Sequence, residues 1–226
     1  MTLTKLLAIV SSIRFNFHYF PLKTAWKIPI LLHKPHFKKL RGKIVINGPV
    51  SPAMIQLGFN SVSIYPNTGI IYENHGGTIT FDGRCVIGGA SAISIGPKGH
   101  LHLGAGVMAS AALKLACYDH ITIGANSLFG WENMLIDSDF HTLTFPDGKH
   151  SLGHGSISIG EECWLATGCL VLKGTLLPDR TTVQARTVLS GKQDIPPESV
   201  IGSELKITTK ATGAYRDPAD DKVRYD

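Results

Sequence analysis

Residues 156–189, SISIGEECWLATGCLVLKGTLLPDRTTVQARTVL, decide the fold. Six aliphatic residues recur there at every sixth position: Ile159, Leu165, Val171, Leu177, Val183 and Leu189. A small or compact residue stands four positions after each of the first five: Cys163, Cys169, Thr175, Thr181 and Thr187. An α-helix turns about 100° per residue, so six steps carry a side chain about 240° from its starting face. A strand with a corner every six residues instead keeps both columns pointing inward.

Three such strands close a triangular coil of about eighteen residues, and successive coils pair as parallel strands in a stack. The same spacing appears upstream in three groups, offset by short insertions at corners: Phe81 and Ile87; Leu103, Ala109 and Leu115; Ile123, Phe129 and Leu135. Repeated I-x-I-G units at 93–96, 121–124 and 157–160 place glycine where a turn needs a permissive backbone. The sequence therefore predicts an all-β fold, a parallel β-helix of hexapeptide repeats.

The repeat also predicts the domain organisation. Residues 1–43 do not follow it and are expected to form a short, partly helical N-terminal cap. Residues 44–207 are expected to form the β-helix, with irregular first coils over 44–71, and residues 208–226 a polar tail. Leu3, Leu6, Leu7 and Val10 fall on one helical face, which predicts an amphipathic helix lying on a membrane or on the protein's own core.

Charge is distributed unevenly along the chain. Nine of the 22 basic residues lie within residues 1–72, where there is no acidic residue before Glu73; the rest carries 13 basic and 17 acidic residues. This basic N-terminal segment favours binding to an anionic surface such as lipid headgroups or phosphate-bearing glycan carriers. The alternative is that it forms a basic face exposed to solvent. Nucleic-acid binding is not expected, because no recognition motif accompanies the charge.

Cysteine spacing and the N-terminus indicate the compartment. The opening apolar run is too short for a membrane span and no cleavage signal follows it. The four cysteines lack CxxC spacing, which argues for a reducing compartment and against zinc. Cys85, Cys163 and Cys169 fall in the small-residue column and are expected to be buried core thiols. A cytoplasmic protein follows, with the basic leader favouring the inner face of the membrane.

Residues 121–207 resemble the hexapeptide-repeat acyltransferases, especially the maltose, galactoside and surface-polysaccharide O-acetyltransferases. The resemblance rests on LIDSDFHTL at 135–143, SISIGEECWLATG at 156–168 and QDIPPESVIGSELKI at 193–207, in that order and spacing. It implies a left-handed coil, a homotrimer with three intersubunit sites, acetyl-CoA as the acyl donor and a glycan hydroxyl as acceptor.

The resemblance assigns the catalytic histidine to His141. A sugar hydroxyl is a poor nucleophile near neutral pH, so a base of near-neutral pKa must take its proton as the oxygen attacks the thioester carbonyl. Asp139 is expected to fix the tautomer of His141, with Asp137 or a backbone carbonyl as alternatives.

Three residues are candidates for binding the acceptor. Trp164 matches the family tryptophan beside the acceptor and cofactor channel, although a core aromatic would fit the position too. Asn133 stands in the small-residue column, where a polar group must find partners, either acceptor hydroxyls or corner hydrogen bonds. Trp131 is a candidate for stacking on a sugar ring.

For CoA the resemblance points to six positions: Ala166, Thr167, Ala185, Ser190, Lys192 and Lys206. Lysines suit the phosphates, and small corner residues let the pantetheine arm lie along backbone amides. The chain departs from the family pattern at Gln184-Ala185-Arg186, where the family has G-A-G, and at 202–206, where it has G-x-P-A-K. An acyl donor other than acetyl-CoA therefore stays open.

Two other function classes compete with the transferase. A metal site like that of the γ-carbonic anhydrases, which share the coil, would use His141, His150 and His154. A non-catalytic scaffold would bind a membrane or a partner through the basic N-terminus. The W-x-x-x-G and D-I-P-P patterns favour the transferase without a bound metal.

Overall fold

The computed structural model describes residues 3–60, 62–146 and 149–203, with side chains from residue 11 onward. Two helices open the chain, α1 (Leu3–Tyr19) and α2 (Leu22–Ala25). Short strands follow in this order: β1 (Ile30–Leu32), β2 (Pro35–Leu40), β3 (Lys43–Ile46), β4 (Ile55–Phe59), β5 (Ile70–Asn74), β6 (Thr78–Phe81), β7 (Cys85–Gly88), β8 (Ser91–Ile95), β9 (His100–Leu103), β10 (Val107–Ala111), β11 (Lys114–Cys117), β12 (His120–Ile123), β13 (Leu128–Trp131), β14 (Met134–Ile136), β15 (Ile157–Ile159), β16 (Trp164–Leu165), β17 (Leu170–Leu172), β18 (Leu176–Leu177), β19 (Thr182–Val183), β20 (Val188–Leu189) and β21 (Val200–Ile201).

The strands form three parallel sheets, and up to β20 each sheet takes every third strand; β21 pairs with β19. Sheet A contains β1, β4, β7, β10, β13, β16, β19 and β21. Sheet B contains β2, β5, β8, β11, β14, β17 and β20, and sheet C contains β3, β6, β9, β12, β15 and β18. The chain therefore runs from sheet A to B to C and returns to A one coil further on. This is a parallel β-helix with three-sided coils, as the hexad spacing predicts.

The inward columns confirm the predicted repeat. The six aliphatics of residues 159–189 are all buried. They pair two by two, eighteen residues apart: Ile159 with Leu177, Leu165 with Val183, and Val171 with Leu189. Upstream, Ala109 joins the same column of sheet A between Ile87 and Phe129. Alternation along each strand sends these side chains to the core and their neighbours outward.

The small-residue column satisfies backbone groups at the corners. Ser91 Oγ accepts from the Leu113 N–H at 3.0 Å, and Ser127 Oγ accepts from the Cys163 N–H at 3.1 Å. The predicted core thiols are confirmed, because the column holds buried, unpaired Cys85, Cys163 and Cys169. Burial raises the pKa of Cys85 to about 12, so this thiol stays protonated and unreactive.

The β-helix begins earlier than predicted. Strands β1, β2 and β3 pair in parallel with β4, β5 and β6, so residues 30–46 form the first coil rather than part of the cap. The hexad spacing fails there because the pairing of β2 shifts register between Phe37 and Lys39. Gly42 adopts φ +73° at the following corner, where an added Cβ would meet the Gly77 carbonyl at 2.1 Å. The predicted tail, residues 208–226, lies outside the described residues.

Helix α1 covers the free edge of the first coil. Ser12 Oγ accepts from the Leu32 N–H at 2.7 Å. Asn16 accepts from the Ile30 N–H at 3.1 Å and donates to the Ile30 carbonyl at 2.7 Å. These side chains replace the neighbouring strand that β1 lacks on this side, which protects an otherwise open sheet edge. None of the described helices is long and apolar enough to cross a membrane.

Candidate functional site

The segment that carries His141 is a hairpin inserted between β14 and β15, with residues 137–146 and 149–156 as its two arms. Its two arms run antiparallel, with bridges between Ser138 and His154 and between Thr144 and His150. The Asp139 N–H donates to the Gly153 carbonyl at 2.7 Å, which ties the arms at the base. The insertion projects from the corner where the chain passes from sheet B to sheet C, which we call the B–C corner.

Asp137 fixes the hairpin to the coil before it. Its carboxylate is fully buried and accepts from the backbone N–H groups of Tyr118 at 2.7 Å and Asp119 at 2.8 Å. Burial raises the pKa of Asp137 above its ordinary value, and the two backbone hydrogen bonds partly oppose the shift. Both carboxylate oxygens are thus engaged by the backbone, so Asp137 is an anchor and not the partner of His141.

A histidine–aspartate cluster fixes the returning arm. His154 Nδ1 lies 3.1 Å from Asp119 Oδ2, and His120 Nδ1 lies 2.9 Å from Asp119 Oδ1. Burial raises the pKa of Asp119, but hydrogen bonds from the two histidines more than offset this, so its pKa lies below the ordinary value. The His120 ring stacks on His100 with centroids 4.7 Å apart. Sequence analysis missed this cluster because residues 119 and 154 meet only when the hairpin folds back.

His141 is exposed on the outgoing arm of the hairpin. It borders an open depression of about 510 Å³ with Ser138, Phe140, Leu152 and His154. Within the part of the chain that the structure describes, the imidazole makes no hydrogen bond, so both ring nitrogens are available to a ligand. This accessibility is what a base acting on an incoming hydroxyl requires.

The structure does not bring Asp139 to His141. The Asp139 carboxylate instead forms an ion pair with Lys173, which lies at the B–C corner one coil further on. The expected role of Asp139 in fixing the tautomer is therefore not supported within one chain. Sequence spacing alone suggested Asp139, whereas Lys173 becomes its neighbour only through the pairing of β14 with β17.

The three predicted acceptor residues are separated. Trp164 is 49% exposed on the outer face of sheet A, paired between Leu128 and Thr182. Trp131 is half-buried at the end of β13, with its ring centroid 6.2 Å from that of Tyr65. Its indole Nε1 is buried and has no hydrogen-bond partner among the described residues.

Asn133 requires a correction. The residue is fully buried, and its Oδ1 accepts from the Cys169 N–H at 3.0 Å. It therefore belongs to the hydrogen bonds of the small-residue column and is not accessible to an acceptor sugar. Of the two alternatives for Asn133, acceptor hydroxyls or hydrogen bonds at the corner, the structure shows the second.

The predicted CoA residues lie at two corners of the coil. Ala166, Thr167 and Ala185 lie where sheet A leads to sheet B, the A–B corner. Ser190 and Lys192 follow β20 at the B–C corner, and Lys192 bridges to Leu176 of sheet C. Lys206 lies outside the described residues. Only Ser190 and Lys192 thus share the corner of His141.

The A–B corner carries its own groove, which sequence analysis did not predict. The groove has a volume of about 520 Å³ and is lined by Tyr65, Lys114, Glu132, Thr167 and Arg186. Tyr65 comes from the segment between β4 and β5 and lines the groove together with Glu132, the residue after Trp131. The predicted residues of this corner and His141 belong to different edges of the same three-sided coil.

Large apolar side chains are exposed on two surfaces near these corners. The hairpin exposes Phe140, Leu143, Phe145 and Leu152. Sheet A exposes Met108, Leu128 and Trp164, which are paired neighbours across successive coils. Clusters of this kind on a folded domain mark interaction surfaces.

Comparison with known proteins adds one relative. No family model and no solved structure matches the chain. The chain is 28% identical over 107 residues to the "Uncharacterized 24.8 kDa protein in cps region" of Klebsiella pneumoniae. The match covers 47% of this chain and 47% of the relative, so the chain spans about half the length of the curated relative it matches.

Proposed function

We propose that this protein is a CoA-dependent O-acyltransferase that transfers an acetyl group to a glycan hydroxyl in cell-surface polysaccharide biosynthesis. The observation that carries the proposal is the exposed His141 imidazole, held on an anchored hairpin at the corner that also bears Ser190 and Lys192. The parallel β-helix supports it as a fold built from hexads, and the sequence match at 135–143, 156–168 and 193–207 supports the reaction.

The polysaccharide assignment rests on the relative. That protein is named for a cps region, a capsular polysaccharide gene region. A glycan hydroxyl is a natural acceptor in such a setting.

The proposed chemistry needs one base and no covalent enzyme intermediate. His141 takes the proton of the acceptor hydroxyl while its oxygen bonds to the thioester carbonyl carbon. The carbon–sulfur bond then breaks, and the departing sulfur takes the proton from the imidazolium. The products are the ester and free CoA thiol, and the base is regenerated.

A homotrimer is part of the proposal. In one chain His141 lies at the B–C corner, whereas Trp164 lies on sheet A and Thr167 and Ala185 lie at the A–B corner. A shared site between two subunits would let the hairpin of one face sheet A of the next. The exposed Phe140 and Leu143 of the hairpin and Met108 of sheet A supply apolar surface for that contact.

The test is release of CoA thiol from acetyl-CoA in the presence of candidate glycans. We expect His141→Ala to lower the rate about 10²- to 10⁴-fold, the usual contribution of a general base. His150→Ala serves as the matched control on the same hairpin and is expected to keep the wild-type rate. An unchanged rate in His141→Ala would remove the proposed base.

The other function classes give distinct outcomes in the same assay. Equal loss in both variants together with bound zinc would indicate the metal site instead. Absence of thiol release with every acceptor would favour the scaffold. Mass spectrometry of surface glycans from cells lacking the protein then identifies the acyl group and its acceptor.

A further inference from the structure

The N-terminal cap has an outer face with no covering element among the described residues. Ser12, Phe15 and Asn16 are buried against the first coil. At about 100° per residue, Ile13, Arg14 and Phe17 of α1 lie on faces turned away from these contacts. We call the surface formed by residues 13, 14, 17, 22, 23 and 26 the cap face.

The cap face is strongly apolar. Leu22 is 68% exposed and Trp26 is 73% exposed, among the most exposed large apolar residues of the described chain. They lie one helical turn apart, because the Trp26 N–H donates to the Leu22 carbonyl at 3.0 Å. The Trp26 ring meets Phe17 edge-to-face at 5.1 Å, and Ile13 lies one turn before Phe17 on α1. Together these side chains form one continuous aromatic and aliphatic surface.

Cations surround this apolar surface. Arg14 and Lys23 are exposed within the cap face, and Lys27 lies beside it and donates to the Val50 carbonyl at 3.2 Å. The first 72 residues contain nine Lys and Arg and no Asp or Glu. The charge of the segment is therefore complementary to an anionic surface.

We infer that the cap face docks on an anionic lipid bilayer. Tryptophan and leucine enter the boundary between headgroups and acyl chains, where an amphipathic indole is favoured. Each Lys or Arg near the surface strengthens the attraction to acidic headgroups. In this proposal the exposed apolar side chains of the cap face place the cap in the interface plane, as in amphipathic anchors.

Docking places the His141 corner at a defined height. The hairpin leaves the fifth coil and the cap covers the first, so four steps of about 4.8 Å separate them. With the helix diameter of about 10 Å, the corner stands about 30 Å from the membrane side of the cap. This distance suits an acceptor glycan held on a lipid carrier. The docking itself does not depend on the proposed transfer reaction.

The experiment is co-sedimentation of the full chain with vesicles. We expect binding to phosphatidylcholine–phosphatidylglycerol vesicles (about 7:3) at low ionic strength, and much weaker binding to phosphatidylcholine alone. Arg14→Gln/Lys23→Gln is expected to lower the partition coefficient about 25-fold, about fivefold for each cation. Arg84→Gln/Lys98→Gln removes two exposed cations elsewhere and is expected to change binding little.

A second pair of variants tests the apolar contribution. Leu22→Ser/Trp26→Ser is expected to lose binding, whereas Ile64→Ser/Val200→Ser, at similarly exposed positions, is expected to keep it. Circular dichroism and sedimentation velocity without vesicles verify folding and mass. Equal binding of all variants, equal binding to neutral vesicles, or no binding at low salt would overturn the proposal. So would a change of oligomer mass in Leu22→Ser/Trp26→Ser, which would mark the cap face as a contact between copies.

Discussion

Replacing Asn16 by alanine is expected to destabilise the whole β-helix, although Asn16 belongs to a helix outside it. The side-chain amide accepts from the Ile30 N–H and donates to the Ile30 carbonyl, and both Asn16 and Ile30 are fully buried. Alanine leaves these two backbone groups of β1 without partners. The two lost hydrogen bonds therefore destabilise the first coil, on which the later coils stack.

The magnitude follows from the two groups. Each buried polar group left unpaired costs about 1–3 kcal/mol, so the pair costs about 2–6 kcal/mol. Alanine regains about 0.5 kcal/mol through its higher helix propensity. We expect the free energy of unfolding to fall by about 1.5–5.5 kcal/mol in denaturant titrations followed by circular dichroism.

Asn47→Ala is the matched control. Asn47 directly follows β3, and its amide donates to the Asp82 carboxylate at 2.7 Å. This hydrogen bond is exposed, so water can take the place of the amide. Its removal is expected to cost about 0.5 kcal/mol or less. If Asn16→Ala proved as mild as Asn47→Ala, the edge-capping role of α1 would be refuted.

Three further predictions concern the core and the hairpin anchor. The thiol of Cys85, whose pKa burial raises to about 12, is expected to react with a disulfide reagent only after unfolding; rapid labelling of native protein would contradict its burial. Stability supplied by ionised Asp119 is present above about pH 4 and lost as pH falls through its lowered pKa, so the deficit of Asp119→Asn in denaturant titrations should shrink in acid. Gly88→Ala should cost more stability than Gly155→Ala, because its Cβ would meet the Ser110 carbonyl at 1.9 Å whereas a Cβ at Gly155 would meet its nearest neighbour, the Gly174 backbone nitrogen, at 3.5 Å; equal thermal shifts would count against the close coil contact.

The fold was predictable where one coil repeats the next without change. Aliphatic residues recur there at a constant spacing of six, as at Ile159, Val171 and Val183, because every inward position must fill the same triangular core. The first coil lacks this constant spacing, since the register of β2 against β5 shifts after Phe37. Burial of Asn133 also escaped prediction, because a polar residue in a corner column fits either a ligand or a backbone partner.

The candidate site was harder to predict than the fold. The break in the hexad spacing after Leu135 indicates an insertion at a corner of the coil. The antiparallel hairpin within that insertion contains no repeat, so its conformation could not be predicted from the spacing. The partner of Asp139 depends on which residue the next coil brings to the same corner, and this is Lys173. Counting hexads does separate His141 from Trp164, because one hexad is one side of the coil.

That separation gives the most direct test of the proposed shared site. Co-expressed His141→Ala and Trp164→Ala chains carry distinct tags and are purified as mixed trimers. If the hairpin of one subunit serves sheet A of the next, one of the three interfaces in every mixed trimer, about a third, pairs an intact His141 with an intact Trp164. The account predicts acetyl transfer at about a third of the wild-type rate, although each variant alone is nearly inactive. Mixed trimers no more active than either parent would contradict it.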